Sequence, residues 1–227
     1  MVSVIIVAAG NSSRMEGIKK QFLKIGGVPV VIRSVTKFQQ IDEVCETIIV
    51  VGKEDIPYAE QLVQQYKLKN TVVTQGGDSR QQSVLSGLSC CNPKSDLVAI
   101  HDAARPFVQI EEIQQVIQIA KKYGAATLGA PVKDTIKIVE DGIIQFTPPR
   151  SSLYLTQTPQ VFQMELYKKA VEKAQQNQWD FTDDCQLIEQ YGFPVHIVTA
   201  SYANIKITTP EDIVLAESFA KGEEQCE

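Results

Sequence analysis

The chain has 227 residues, enough for one large α/β domain or two small ones and for a sizeable core. Its 44% hydrophobic and 22% charged residues fit a soluble globular protein rather than a disordered or membrane chain. A formal net charge of −5 excludes the dominant basic surface of a general nucleic-acid binder, so any cationic site must be local.

Residues 3–8, SVIIVA, form a short apolar run rich in β-branched residues, which predicts a strand buried on both faces. Residues 28–40 read as a helix with Pro29 in its first turn. A second buried strand is expected at 46–52, a helix at 56–66, a strand at 70–75, a helix at 78–90, a strand at 96–102 and a helix at 110–123. Repeated βα units of this length predict a Rossmann-like, mostly parallel twisted sheet with helices on both faces. Residues 134–149, DTIKIVEDGIIQFTPP, alternate and turn at Asp141-Gly142, the strongest short hairpin signal. So apolar a two-stranded arm is marginal alone, and a second subunit is a good candidate to cover it. Helices follow at 163–176 and 182–190, short strands near 194–199 and 203–207, and a helix opened by TTPED at 208–212. With no linker, repeat or low-complexity tract, residues 1–227 read as one domain carrying a β-arm at about 134–149.

The first apolar run is too short to span a membrane and lacks a basic n-region, so neither a span nor a signal peptide is expected. The cysteines, Cys45, Cys90, Cys91, Cys185 and Cys226, are scattered and form no C-x-x-C pair. Free thiols in a reducing cytoplasm follow more simply than a disulfide framework or a zinc site. Only His101 and His196 are present, which argues against a histidine metal cage.

In an open parallel sheet, ligands bind beyond the C-terminal strand ends. Three loops expected there carry small residues and arginines: AAGNSSRMEGIKKQF with Arg14, QGGDSRQQS with Arg80, and HDAARP with Arg105. Small residues let backbone N–H groups approach a polyanion and the cations neutralise it. The first loop fits neither G-x-x-x-x-G-K-[ST] nor G-x-G-x-x-G. Nucleotidyl transfer remains: an ionised acceptor phosphate attacks a nucleoside triphosphate, needing in-line positioning and positive charge but no strong base.

Together AAGNSSRM…KKQF, GGDSRQQSVLSGL, HDAARP, VKDTIK, LTQTPQ and NIKITTPED resemble the 2-C-methyl-D-erythritol 4-phosphate cytidylyltransferases of the non-mevalonate isoprenoid pathway, over residues 2 to about 218. The resemblance implies that Arg14 and Lys20 stabilise the transition state at the α-phosphate of CTP. It implies that Ala8, Ala9, Gly10, Ser12, Gly77, Asp78, Ser83, Ala103 and Lys206 bind the nucleotide, Ser12 standing where a glycine is common. It further implies that Asp102 helps hold Mg²⁺ and that Arg105, Thr135 and Arg150 grip the acceptor phosphate, Thr135 and Arg150 coming from the arm of a homodimer partner. The nearest rivals are a cytidylyltransferase for another polyol phosphate, such as ribitol 5-phosphate, and a non-catalytic nucleotide-binding module on the same fold. Blander roles are expected for several neighbours: Lys19 solvated, His101 a hydrogen-bonded structural residue, Asp183-Asp184 a helix cap, and Arg80 a partner of Asp78 or solvent.

Overall fold

A computed structural model describes residues 1–10 and 19–224. The first apolar run becomes β1 (Val2–Val7). Its side chains alternate between two cores, Val2, Val4 and Ile6 on one side and Ile5 on the other. Past the first loop, β2 (Lys24–Ile25) and β3 (Val28–Pro29) form a short antiparallel ladder. Helix α1 (Val30–Phe38) then starts two residues later than expected, with Pro29 at its N-cap. The expected alternation continues through β4 (Val44–Val51), α2 (Ile56–Gln65), β5 (Thr71–Gln75), α3 (Arg80–Ser89), β6 (Leu97–Asp102) and α4 (Ile110–Tyr123). It ends with β7 (Ala125–Pro131), the arm strands β8 (Ile138–Glu140) and β9 (Ile143–Phe146), β10 (Tyr154–Gln163), α5 (Met164–Asn177), α6 (Asp184–Tyr191), β11 (His196–Thr199) and α7 (Pro210–Glu224).

Seven strands form the main sheet in the order β11-β7-β10-β6-β1-β4-β5. The chain leaves β1 for β4 and β5 on one side, then crosses to β6 on the other. The strand order therefore reverses between β1 and β6, where an open α/β sheet leaves a crevice at its carboxyl edge. Strand β10 runs antiparallel to both β6 and β7, inside what the βα rhythm alone predicts as parallel. Pro159 cannot donate to a ladder. It lies where the β10–β7 register shifts, between Thr156 and Gln160.

Two apolar clusters sandwich the sheet. Helices α1, α2 and α4 cover one face through Val35, Phe38, Leu62, Ile113 and Ile117. Helices α3, α5 and α6 cover the other through Val84, Tyr167, Val171, Leu187 and Ile188. The expected strand at 203–207 is not one: Ile207 makes a single backbone bond, to Ala104, and its side chain joins a third cluster with Ile25, Phe107, Ala216 and Ala220. The Ile205-Lys206-Ile207 alternation thus reports packing on β2 and α7 rather than on a sheet.

Other local signals behave as read. Asp141 and Gly142 both take positive φ, +49° and +78°, as a tight two-residue hairpin turn requires. Ser79 caps α3 by accepting from the Gln82 amide, and Asp183 caps α6 by accepting from the Gln186 amide. Asp212 accepts from the Thr208 and Thr209 amides at the start of α7. Among the described residues no helix is long and apolar enough to cross a membrane.

Candidate active site

A cleft of about 570 Å³ opens at the β1/β6 switch point. The loop after β1 brings Ala8, Ala9 and Gly10, and the end of β6 with the turn after it brings Asp102, Ala103 and Ala104. The β5–α3 loop brings Gly77 and Asp78, and the first turns of α3 bring Arg80 and Ser83. Lys20 enters from the end of the first loop and Lys206 from the segment before α7. Lys20, Lys53, Arg80 and Lys206 line it together with Glu54, Asp78 and Asp102, so cations gather locally on a chain of net charge −5.

Asp102 is the electrostatic hub. Lys206 Nζ lies 2.7 Å from its Oδ2, Arg105 Nε 3.8 Å from the same oxygen, and Arg80 Nε 3.6 Å from Oδ1. Burial alone would raise the carboxyl pKa, but Lys206, Arg80 and Arg105 hold it well below the usual carboxylate range. The group is therefore a fixed anion across the physiological range. Arg80 is likewise opposed by burial, and the carboxylates of Asp184 and Asp102 keep its guanidinium charged.

The β5–α3 loop is held by its own side chains. Ser83 Oγ accepts from the Gly77 amide at 3.2 Å and donates to the Ser79 carbonyl at 2.9 Å. The Asp78 amide donates to Gln82 Oε1 at 2.8 Å. A Cβ on Gly76 would sit 2.5 Å from Ala9 Cβ and 2.7 Å from Ser83 Oγ, so two loops can close on one cleft only with glycine there.

A family model of 2-C-methyl-D-erythritol 4-phosphate cytidylyltransferase (IspD) matches residues 2–221. The chain belongs to that family. A curated relative of that name from Caldanaerobacter subterraneus subsp. tengcongensis is 45% identical over 224 residues, covering 97% of this chain and 99% of the relative. The crystal structure of the 4-diphosphocytidyl-2C-methyl-D-erythritol synthase from Anaerococcus prevotii superposes with a TM-score of 0.88 at 33% identity, covering 97% of this chain and 98% of that one. The 2-C-methyl-D-erythritol 4-phosphate cytidylyltransferase from Thermus thermophilus gives 0.81 at 32% identity, covering 96% of this chain and 98% of that one.

Within this cytidylyltransferase fold the cleft brings together Ala8, Ala9, Gly10, Lys20, Gly77, Asp78, Ser83, Asp102, Ala103 and Lys206. Arg14 and Ser12 lie outside the described residues. Three expected residues do not line this chain's own cleft. Thr135 and Arg150 are exposed at the base of the arm, where Arg150 Nη1 donates to the Lys133 carbonyl at 2.9 Å. Arg105 is mostly buried and donates to the carbonyls of Asn204 at 2.8 Å and Thr156 at 3.3 Å.

Three of the blander expectations need correction. Lys19 is not simply solvated, because it pairs with Asp55 and, at 3.4 Å, with Glu54. Arg80 does not pair with Asp78; it reaches Asp184 on α6 at 2.7 Å and faces the cleft. Sequence reading saw the arginine but not its partner, 104 residues away, because a helix-start arginine carries no sign of what packs above it. Only Asp183 of the acidic pair caps α6; Asp184 accepts from Tyr167 Oη at 2.6 Å and is fully buried. His101 is structural, as expected. Its Nε2–H donates to the Arg105 carbonyl and its Nδ1 accepts from the Thr158 hydroxyl, each at 3.1 Å, a pattern that fits the neutral ring. Burial pushes its pKa down to about 4.

The donor set bears on a divalent ion. Among the described residues no group of three or more His, Cys, Asp or Glu could cage one. Asp102 is a single carboxylate already facing three cations. This donor set suits a divalent ion only where the ion takes most of its ligands from nucleotide phosphates and water, with one carboxylate oxygen from the protein.

Proposed function

We propose that the chain transfers the cytidylyl group of CTP to 2-C-methyl-D-erythritol 4-phosphate, in the non-mevalonate route to isoprenoids. An acceptor phosphate oxygen bonds to the α-phosphorus of CTP. The bond from that phosphorus to the oxygen bridging to the β-phosphate breaks, and pyrophosphate leaves with the electron pair. The products are 4-diphosphocytidyl-2-C-methyl-D-erythritol and pyrophosphate. The observation that carries this reading is the convergence of three separate loops of a family member on one cationic cleft at the switch point. The acceptor phosphate is ionised at neutral pH, so no base is needed, and a buried neutral His101 poses no difficulty.

We assign Arg14 and Lys20 to the charge that develops at the α-phosphate. Ala8, Ala9, Gly10 and Ser12 cradle the triphosphate, and Gly77, Asp78 and Ser83 read base and ribose. Ala103 and Lys206 complete the nucleotide's wall. Asp102 would supply the protein ligand to Mg²⁺, which, when bound, neutralises the triphosphate. Arg105, Thr135 and Arg150 hold the acceptor phosphate, the last two reaching the site of a second protomer. That placement is supported by an arm whose Ile143, Ile144 and Phe146 are 58–66% exposed. The working unit is thus a homodimer of single-domain chains, and the free thiols Cys45, Cys90, Cys91 and Cys185 suit the cytoplasm.

The test is an acceptor screen: CTP, Mg²⁺ and each polyol phosphate, followed by pyrophosphate release. Turnover with 2-C-methyl-D-erythritol 4-phosphate is expected. Turnover with ribitol 5-phosphate alone would move the chain to another acceptor, and none with any acceptor would leave a binding module.

A further inference from the structure

Arg80 and Asp184 are the first residues of α3 and α6, two helices whose N-terminal ends meet behind the cleft. Asp184 is not part of the cleft wall, and its side chain is only 1% exposed. Every polar neighbour fixes it. Its Oδ1 accepts from Tyr167 Oη at 2.6 Å and its Oδ2 from Arg80 Nη1 at 2.7 Å. Gln160 Oε1 on β10 accepts from the Asp184 and Cys185 amides at 3.0 and 3.2 Å, while Gln160 Nε2 donates to Asp183 Oδ2 at 2.8 Å. The backbone of Asp184 is thus tied to a strand of the sheet and its carboxylate to a buried tyrosine.

Arg80 is held less completely. Its guanidinium is a rigid planar fork. With Nη1 drawn back to Asp184, Nε stops 3.6 Å from Asp102 Oδ1, too far for a hydrogen bond. That leaves the Asp102 carboxylate with Lys206 as its close partner and leaves Arg80 as a cation on the cleft wall. Without Asp184 the fork would be free to close on Asp102, taking up Oδ1 and spending its charge there rather than on a ligand in the cleft.

We propose that Asp184 is a positioning residue for the nucleotide cleft, acting through Arg80 to keep that cation off Asp102 and directed at the nucleotide. The inference rests on the reading of the cleft as the CTP site. A merely structural ion pair would show its effect in stability alone, whereas a positioning pair also sets ligand affinity.

The two roles separate in a double-mutant cycle on the full-length chain, with CTP binding followed by calorimetric titration and stability by thermal unfolding. Asp184→Asn is expected to weaken CTP binding about tenfold, the scale of one charge-assisted hydrogen bond. Arg80→Met leaves a buried carboxylate unpaired and lowers the unfolding midpoint strongly, whereas removing both partners of a buried pair is close to neutral. The double variant Arg80→Met with Asp184→Asn should therefore regain most of the midpoint while CTP binding stays at least tenfold weak. Wild-type CTP affinity in the double variant, or in Asp184→Asn, overturns the proposal. If Asp184→Asn does not fold, Tyr167→Phe decides, because it loosens the Asp184 carboxylate with Arg80 intact: CTP binding is expected to weaken about twofold, and unchanged affinity overturns the proposal. A wild-type chain that does not bind CTP at all would instead remove the reading on which the proposal rests.

Discussion

At the residue scale the site separates charges that act from charges that hold. Arg14 and Lys20 are assigned to the reacting phosphate, and loss of one such donor costs on the order of 10²–10³ in rate. Arg14→Ala and Lys20→Ala should each lower kcat by about that factor while changing CTP affinity far less; steady-state kinetics that find kcat unchanged would take the residue out of the mechanism. His101 makes a different prediction. Its pKa is about 4 in the folded chain against 6.5 as its ordinary value, so between those values the unfolded chain binds a proton that the folded chain does not. Stability therefore falls as pH drops from 6.5 toward 4, by about 3 kcal/mol at the low end. Urea unfolding at pH 7 and pH 4.5 should show a smaller loss for His101→Gln than for the wild type; equal losses would assign the acid sensitivity elsewhere. Most of the residues that line the cleft were legible: glycine, alanine and serine between a strand and a helix already describe a loop that lets backbone approach phosphate, and the family resemblance singled out the positions. Asp184 was not legible, since a carboxylate at a helix start has an adequate local role as a cap, and only tertiary structure reveals the tyrosine and arginine above it.

At the element scale the placement of α3 decides whether the β5–α3 loop meets the first loop. The helix lies so close to the sheet that a Cβ on Gly87 would stand 2.6 Å from Ile5 Cγ2 and 3.0 Å from Val50 Cγ2, on β1 and β4. Gly87→Ala must push α3 away from the sheet, at a cost of about 1–3 kcal/mol for an overpacked core. Because Arg80 and Ser83 ride on the same helix, KM for CTP should rise along with the lowered unfolding midpoint. A destabilised variant with an unchanged KM would mean that the loop is positioned independently of its helix. The βα rhythm made β1, β4, β5 and β6 readable, since each is rich in valine and isoleucine and follows the expected spacing. Strand β7, AATLGAP, lacks that signature because small residues suffice in a strand pressed between β10 and β11. Strand β10 was hidden by the proline and glutamines that its register shift accommodates.

At the scale of the whole molecule, the arm is what a lone protomer leaves unexplained. Strands β8 and β9 pair only with each other among the described strands. Ile138, Val139, Ile143, Ile144 and Phe146 are 42–66% exposed on them. An apolar surface of this kind marks an interface. If the partner's cleft receives the arm, one active site is built from the body of one chain and the arm of the other. Co-expressing a chain carrying Lys20→Ala with one carrying Arg150→Ala tests that division. Each homodimer lacks one half of every site, but a heterodimer pairs the intact body of one chain with the intact arm of the other and rebuilds one site of its two. Random assortment makes half the dimers mixed, so the mixture should recover about a quarter of wild-type activity, although neither variant alone is active. If both groups served the site of their own chain, no assortment could restore a complete set. The mixture would then stay as inactive as its parents, and the arm would have to be explained by dimer stability alone.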